Sequence, residues 1–417
     1  MKKLLAFTLV LIFFSCNNDD DDTVDACVEA TNIQANDITT TSATITWTDS
    51  NAANSYVIEY GISGFALGTG STLTETTIST DLSNLNPATS YDVYVQVVCS
   101  TNNPSMYSEV FSFTTETPAV VAEFRPNLSE LNLFSGELSD LNISSKAFEY
   151  QLNSQLFTDY AHKQRLIALP DGTSMEFDGD GLPVFPDNTV IAKTFYYNID
   201  ERDLSLGRII IETRILIKLE GEWETGDYKW NAEQTDAVLD LDGSTVPITW
   251  TNATGETNSI DYQIPSNADC FTCHKTYEQM TPIGSKLRSM NFEVNGSNQL
   301  DQLINNNQLI GITSSSSVAV SLPNWEDTSL SLETRARAYL DINCAHCHIP
   351  GGHCENESIL NLAFRTSAED SNIANRRFSI DFRISSDVDG TRMPLIGTTI
   401  QHTEGVQLIQ DYLNTLD

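Results

Sequence analysis

Cationic side chains are scarce. Lysine and arginine number 22 against 57 aspartates and glutamates, a formal net charge of −35 in 417 residues. A surface this acidic repels phosphate backbones, which excludes a nucleic-acid binder. Long apolar runs are nearly missing as well. There is a single one, at the extreme N-terminus, so a polytopic membrane protein is excluded too. Eight cysteines are too few for a disulfide-dense scaffold, and their spacing says more than their number. What remains is ordinary globular stock. Hydrophobic residues make up 40% and charged residues 19%, which excludes wholesale disorder. The length suits about three domains.

Lys2 and Lys3 precede an apolar run from Leu4 to Phe14, then Ser15 and Cys16. A basic start, a short apolar stretch and a small residue at the cut make a secretory signal peptide, too short to span a bilayer. Cysteine directly after the small residue resembles a bacterial lipobox, which implies lipidation of Cys16. The run Asn17 to Asp22 that follows is a solvated acidic tether. In that position it resembles the surface-export signal of Bacteroidota lipoproteins. Residues 1–23 therefore read as leader and tether of an exported outer-membrane lipoprotein, facing the cell surface or else the periplasm.

Residues 24–117 alternate in short runs. Ala43-Thr44-Ile45-Thr46-Trp47, Tyr56 to Tyr60 and Tyr91 to Val97 all have period two, with Gly, Asn and Ser between them. That pattern predicts an all-β sandwich. Leu85-Asn86-Pro87-Ala88-Thr89-Ser90-Tyr91 resembles the tyrosine corner of fibronectin type III domains, and Trp47 stands where that family keeps a core tryptophan. Cys27 and Cys99 lie near the first and a late strand, and export permits a disulfide between them.

A linker over 116–122 leads to a second region, 124–262, that is β-rich. Strands are expected over 189–197, over 208–219 (where Ile209, Ile211, Ile215 and Ile217 interleave with Glu212, Arg214 and Lys218), and over 237–241 and 246–250. The expectation is a second sandwich or barrel. Trp223, Tyr228 and Trp230 are candidates for a carbohydrate-stacking platform.

The chemistry lies in the last 150 or so residues. Cys270-Phe271-Thr272-Cys273-His274 and Cys344-Ala345-His346-Cys347-His348 are two copies of Cys-x-x-Cys-His. Two cysteines one helical turn apart can form thioethers with the vinyl groups of one haem, and the next residue, histidine, becomes the axial ligand. Two Cys-x-x-Cys pairs can also build a Cys₄ zinc site, which has no need of the paired histidines. Redox disulfides are a third reading, without the βαβ context such dithiols use.

The second motif has a telling context. A helix is expected over 331–342, running into Cys344. Arg392-Met393-Pro394 follows in an irregular stretch, and a terminal helix is expected over 405–416. Helix, Cys-x-x-Cys-His, loop, Met-Pro and terminal helix is the order of parts in a class I cytochrome c, so Met393 is the expected distal ligand opposite His348. The run Arg335 to His348 resembles the hallmark of a bacterial family of dihaem c-type cytochromes. Gln155 to Tyr160, Lys193 to Tyr197, Glu212 to Arg214, Tyr228 to Asn231 and Pro282 to Gly284 resemble it too. The likeness spans roughly 125–417. It implies that the β-rich middle and both haem motifs form one unit, with the fibronectin module as an addition, and that two haem c groups are bound covalently, one in a first haem region over 263–330 and one in a mainly α-helical, cytochrome c-like part over 331–417.

The first haem's sixth ligand stays open among Met280, Met290, His162, His346, His353, His402 and Cys354, which is the one cysteine left without a role. Three functions follow. The leading one is outer-sphere electron transfer by a membrane-anchored lipoprotein, with a redox protein or a small molecule as donor or acceptor and the acidic surface steering a basic partner. The second is a dihaem peroxidase-like oxidoreductase. The third is an adhesion or glycan-binding surface protein.

Overall fold

The computed structural model of the protein describes residues 26–388 and 390–416. The leader and Cys16 lie outside the described residues. The chain divides into two compact units, one ending at Glu116 and one beginning at Thr117.

The first unit is a β-sandwich. Strands β1 (Thr31–Asn36), β2 (Ser42–Thr48) and β5 (Ser79–Ser83) form one sheet. Strands β3 (Ser55–Ile62), β4 (Ser71–Glu75), β6 (Ser90–Ser100), β7 (Asn103–Tyr107) and β8 (Phe111–Thr114) form the other. Period-two patterning sends Ala43, Ile45 and Trp47 inward to meet Tyr56, Ile58, Val93, Val95 and Val97. Tyr91 is buried, and its hydroxyl oxygen accepts the Asn86 N–H at 2.9 Å. Cys27 and Cys99 are joined in a disulfide.

The second unit is organised by an antiparallel sheet. Its strands are β9 (Phe148–Glu149), β10 (His162–Ala168), β11 (Val190–Asn198), β12 (Arg208–Leu219), β13 (Glu222–Trp230) and β14 (Ala237–Leu239), side by side in chain order. A hairpin of β15 (Ser244–Thr251) and β16 (Thr257–Ile264) stands apart from this sheet and packs Ile248, Trp250, Tyr262 and Ile264 on Phe195 and Tyr197.

Both faces of the large sheet are covered. One buries Leu166, Val190, Ile215 and Ile217 under Leu128, Leu131, Leu133 and Leu141. The other places Ile167, Ile191 and Leu216 in a core shared with Leu287, Leu300, Trp325, Leu340 and Leu408. The segments over 124–262, 263–330 and 331–417 thus form one unit, as the family likeness implies. The reason is that the sheet's second face finds its cover in the chain that follows it.

Among the described residues, four helices of eight residues or more follow the sheet: α1 (Asn267–His274), α2 (Leu332–Asn343), α3 (Ile373–Ile384) and α4 (Thr403–Leu413). Ser266 caps α1 in a reciprocal box with Asp269, and Ser331 caps α2 through the Thr334 N–H. Helix α4 packs on α2 and α3. No helix among the described residues is long and apolar enough to cross a membrane.

The stacking platform is corrected. Tyr228 and Trp230 are 0% and 5% exposed, inside the core. The Tyr228 hydroxyl donates to the Arg125 carbonyl at 2.9 Å, and the Trp230 Nε1–H donates to Thr213 at 3.0 Å. Trp223 lies edge-on to Phe185. Sheet aromatics with partners for their polar atoms serve as core.

Candidate functional site

The two Cys-x-x-Cys-His segments, seventy-odd residues apart in sequence, meet in space. Cys270, Cys273 and His274 occupy α1 up to its C-terminus. Cys344 is the C-cap of α2, with Cys347 and His348 in the turn beyond it. Ligand atoms of Cys273, His346 and Cys347 lie within 4.8 Å of one another. Cys354 joins them through a hydrogen bond with Cys347. Gly352 allows that loop to close, since a Cβ there would meet the Cys347 carbonyl at 2.6 Å.

Each motif histidine faces its own cavity. The larger, of about 420 Å³, is lined by Cys344, Cys347 and His348, by Arg376 and Ile380 of α3, and by Met393. This is a size ordinary for small-molecule sites. The smaller, of about 130 Å³, is lined by Cys270, His274, Arg165, Lys193 and Arg214. Phe157, Cys273, His346 and Pro394 belong to the walls of both.

His274 is held in one tautomer. Its Nδ1 lies 2.8 Å from the Thr281 carbonyl, so Nδ1 carries the proton and Nε2 keeps a free lone pair. Burial pushes its pKa down to about 4, so the ring is neutral at pH 7. Burial lowers His348 as well, and its Nδ1 is buried without a hydrogen-bond partner among the described residues.

The thiols divide into two classes. Burial pushes Cys270 up to about 11 and Cys344 up to about 12. Cys273 is pulled down to about 4 by its hydrogen bond with Cys347, with His346 adding to the effect, while Cys347 is driven up by the same contact. A thiolate beside an imidazole and two thiols is a soft donor set suited to a transition metal.

The Met393 loop is tied down from both sides. Asp159, 1% exposed, accepts the Thr399 N–H at 2.9 Å, the Thr399 hydroxyl at 2.8 Å and the Ile400 N–H at 3.1 Å. The Arg392 guanidinium donates to the carbonyls of Thr398 and Thr399 at 2.7 and 2.8 Å.

Of the groups weighed as a further ligand near Cys270, His346 alone lines the smaller cavity. His162 pairs with Glu201 at 2.7 Å, and Met290 is enclosed in the core. His402 stacks on Phe157 with centroids 4.1 Å apart and meets the Tyr339 hydroxyl at 3.0 Å. His353 and Cys354 line the larger cavity.

Comparison with known proteins concerns the first unit. The fibronectin type III domain family matches residues 28–114, so this segment is a fibronectin type III domain. Among solved structures, the FN5 domain of Drosophila Lar is similar at 17% identity. The match covers 22% of this chain and 98% of that one, with a TM-score of 0.19. The fn3 domain of the human collagen alpha-1(XX) chain is similar at 17%, covering 22% and 88%, with a TM-score of 0.20. A structure titled "Myokine structure" is similar at 23%, covering 22% and 99%, also at 0.20. No curated protein matches the chain.

Proposed function

We propose that this protein is a dihaem c-type cytochrome that transfers electrons in the cell envelope. The observation that carries this reading is the convergence of two Cys-x-x-Cys-His segments, each histidine facing its own cavity. Cys270 and Cys273 would hold one haem covalently with His274 as axial ligand. Cys344 and Cys347 would hold the other, with His348 and Met393 as ligands. Haem c, when bound, supplies the one-electron chemistry.

The chain's own residues fit this role. The Thr281 carbonyl orients His274 and leaves Nε2 free. Asp159 and Arg392 fix the loop that brings Met393 to the cavity of His348. Cys273 and Cys347 are close enough to make the two attachment points neighbours, which favours electron exchange between the groups they hold. The Cys27–Cys99 bridge supports an oxidising compartment and therefore export. Anchoring through a lipid on Cys16 belongs to the same reading, with the fibronectin type III domain as a spacer or binding platform.

A second reading rests on the Cys273, His346 and Cys347 cluster, which offers three of the four donors a structural zinc centre takes. Metal analysis and absorption spectra of the purified full-length protein decide between them. Two haems per chain, low-spin and indifferent to carbon monoxide and peroxide, are expected. One high-spin haem that binds these ligands favours the peroxidase-like enzyme, and zinc without haem absorbance removes the cytochrome. Met393→Ala should lower the potential of one haem substantially and leave the other in place. A redox titration with both waves unmoved removes Met393 as a ligand.

A further inference from the structure

The sheet carries a row of like charges that the chain itself does not neutralise. In the strand register, Arg165 of β10 stands opposite Lys193 of β11, and Lys193 stands opposite Arg214 of β12. Directly opposed cations on one sheet face destabilise it, and burial multiplies the cost. Arg165 is only 4% exposed, and its guanidinium has one long contact, 3.5 Å to the Gln155 side chain. Among the described residues, neither Arg165 nor Lys193 has a carboxylate within 4.0 Å. The Lys193 ammonium sits over the Phe195 ring, 4.7 Å from its centre.

The nearby acids serve only the end of the row. Arg214 pairs with Glu212 at 2.6 Å. Glu212 also accepts the Tyr262 hydroxyl at 2.5 Å. Asp227, next along the row, also lies by Arg214, 3.6 Å from its guanidinium, and burial and Glu212 raise its pKa well above the usual carboxylate range. Arg165 and Lys193 are therefore left lining the smaller cavity, which Cys270, Cys273 and His274 also line.

We propose that the row Arg165, Lys193 and Arg214 is a receiving site for a pair of carboxylates, the two acidic arms of the tetrapyrrole attached at Cys270 and Cys273. This rests on the dihaem reading above. A tetrapyrrole held by those cysteines and by His274 would reach the cavity that the row also lines, and its carboxylates are its only anionic groups. Charge-assisted bonds to the buried Arg165 and the half-buried Lys193 and Arg214 would offset the cost of the row. Each cation would also oppose loss of an electron from an iron held by His274 and so raise its potential. Arg165, Lys193 and Arg214 are positioning residues here, not ligands.

The test uses the full-length, haem-containing protein with Arg165→Met and Lys193→Met made singly. The expected result is two haems per chain in each variant, one redox wave shifted to lower potential, the other unmoved, and partial return of the shifted wave in Arg165→Lys. Thermal unfolding checks the fold, and Lys193→Gln serves if a methionine variant does not fold. Two haems with both waves unmoved overturn this assignment and leave the dihaem reading intact. A wild-type protein without haem overturns both. A free anion is the other source of the same chemistry. If phosphate or succinate raises the unfolding temperature of wild type but not of Arg165→Met, while both waves stay put, the site belongs to a free anion and the assignment falls.

Discussion

His402 is the residue whose surroundings make the sharpest statement about pH. It is enclosed by Phe157, Tyr160, Trp325 and Tyr339. Burial pushes its pKa down to about 4 against an ordinary 6.5. The unfolded chain therefore binds a proton that the folded chain refuses between those values. Its contribution is complete above pH 6.5 and is lost as pH falls towards 4. The full shift corresponds to an upper bound of about 3 kcal/mol. His402→Phe keeps the stacking and removes the proton. Urea unfolding from pH 7 to 4.5 should then show a smaller loss of stability in the variant than in wild type. Equal slopes would show that His402 does not titrate in this window.

At the scale of elements, the contact between α4 and α2 is set by one missing side chain. A Cβ at Gly405 would lie 2.2 Å from the Tyr339 hydroxyl oxygen. Gly405→Ala improves helix propensity by about 1 kcal/mol, and overpacking against a buried tyrosine costs about 1–3 kcal/mol. The clash should win, giving a net loss of about 1 kcal/mol or more by denaturant titration. A stabilised variant would mean that Tyr339 moves aside freely.

The same scale explains what the sequence made legible. β12 was readable because isoleucines alternate with charges, and α2 because its apolar residues recur at helical spacing. β13 was not, since Gly226 and Asp227 interrupt it and its aromatics face a core on the sheet side. Helix α3 was hidden because Phe378 and Phe382 are 78% and 66% exposed, so its apolar residues do not mark one inward face. The cysteine motifs were plain, but their meeting depends on how α1 and α2 lie across the sheet. Arg165, Lys193 and Arg214 come from three strands, and strand register alone brings them into a row.

For the whole molecule, the two compact units predict two separable unfolding events. The Cys27–Cys99 bridge closes a loop with a sequence separation of 72, and such a bridge stabilises a domain by about 2–4 kcal/mol. Reduction, or Cys27→Ala with Cys99→Ala, should lower the transition of the fibronectin type III domain and leave that of residues 117–417 in place. A single transition that shifts as one would show the units to be thermodynamically coupled.

The buried charges have a last consequence, for how the protein behaves as a colloid. Among the described residues Glu59, Asp92, Asp159, Glu212, Asp227 and Asp341 are buried, against Arg165 and Arg337, in a chain with only 22 basic residues to counter 57 acidic ones. Charge held in the interior adds little to the exterior. The skin of the molecule is thus somewhat less anionic than its formal total, and its mutual repulsion and counterion cloud follow the skin. Retention on an anion exchanger should accordingly fall short of what −35 alone predicts.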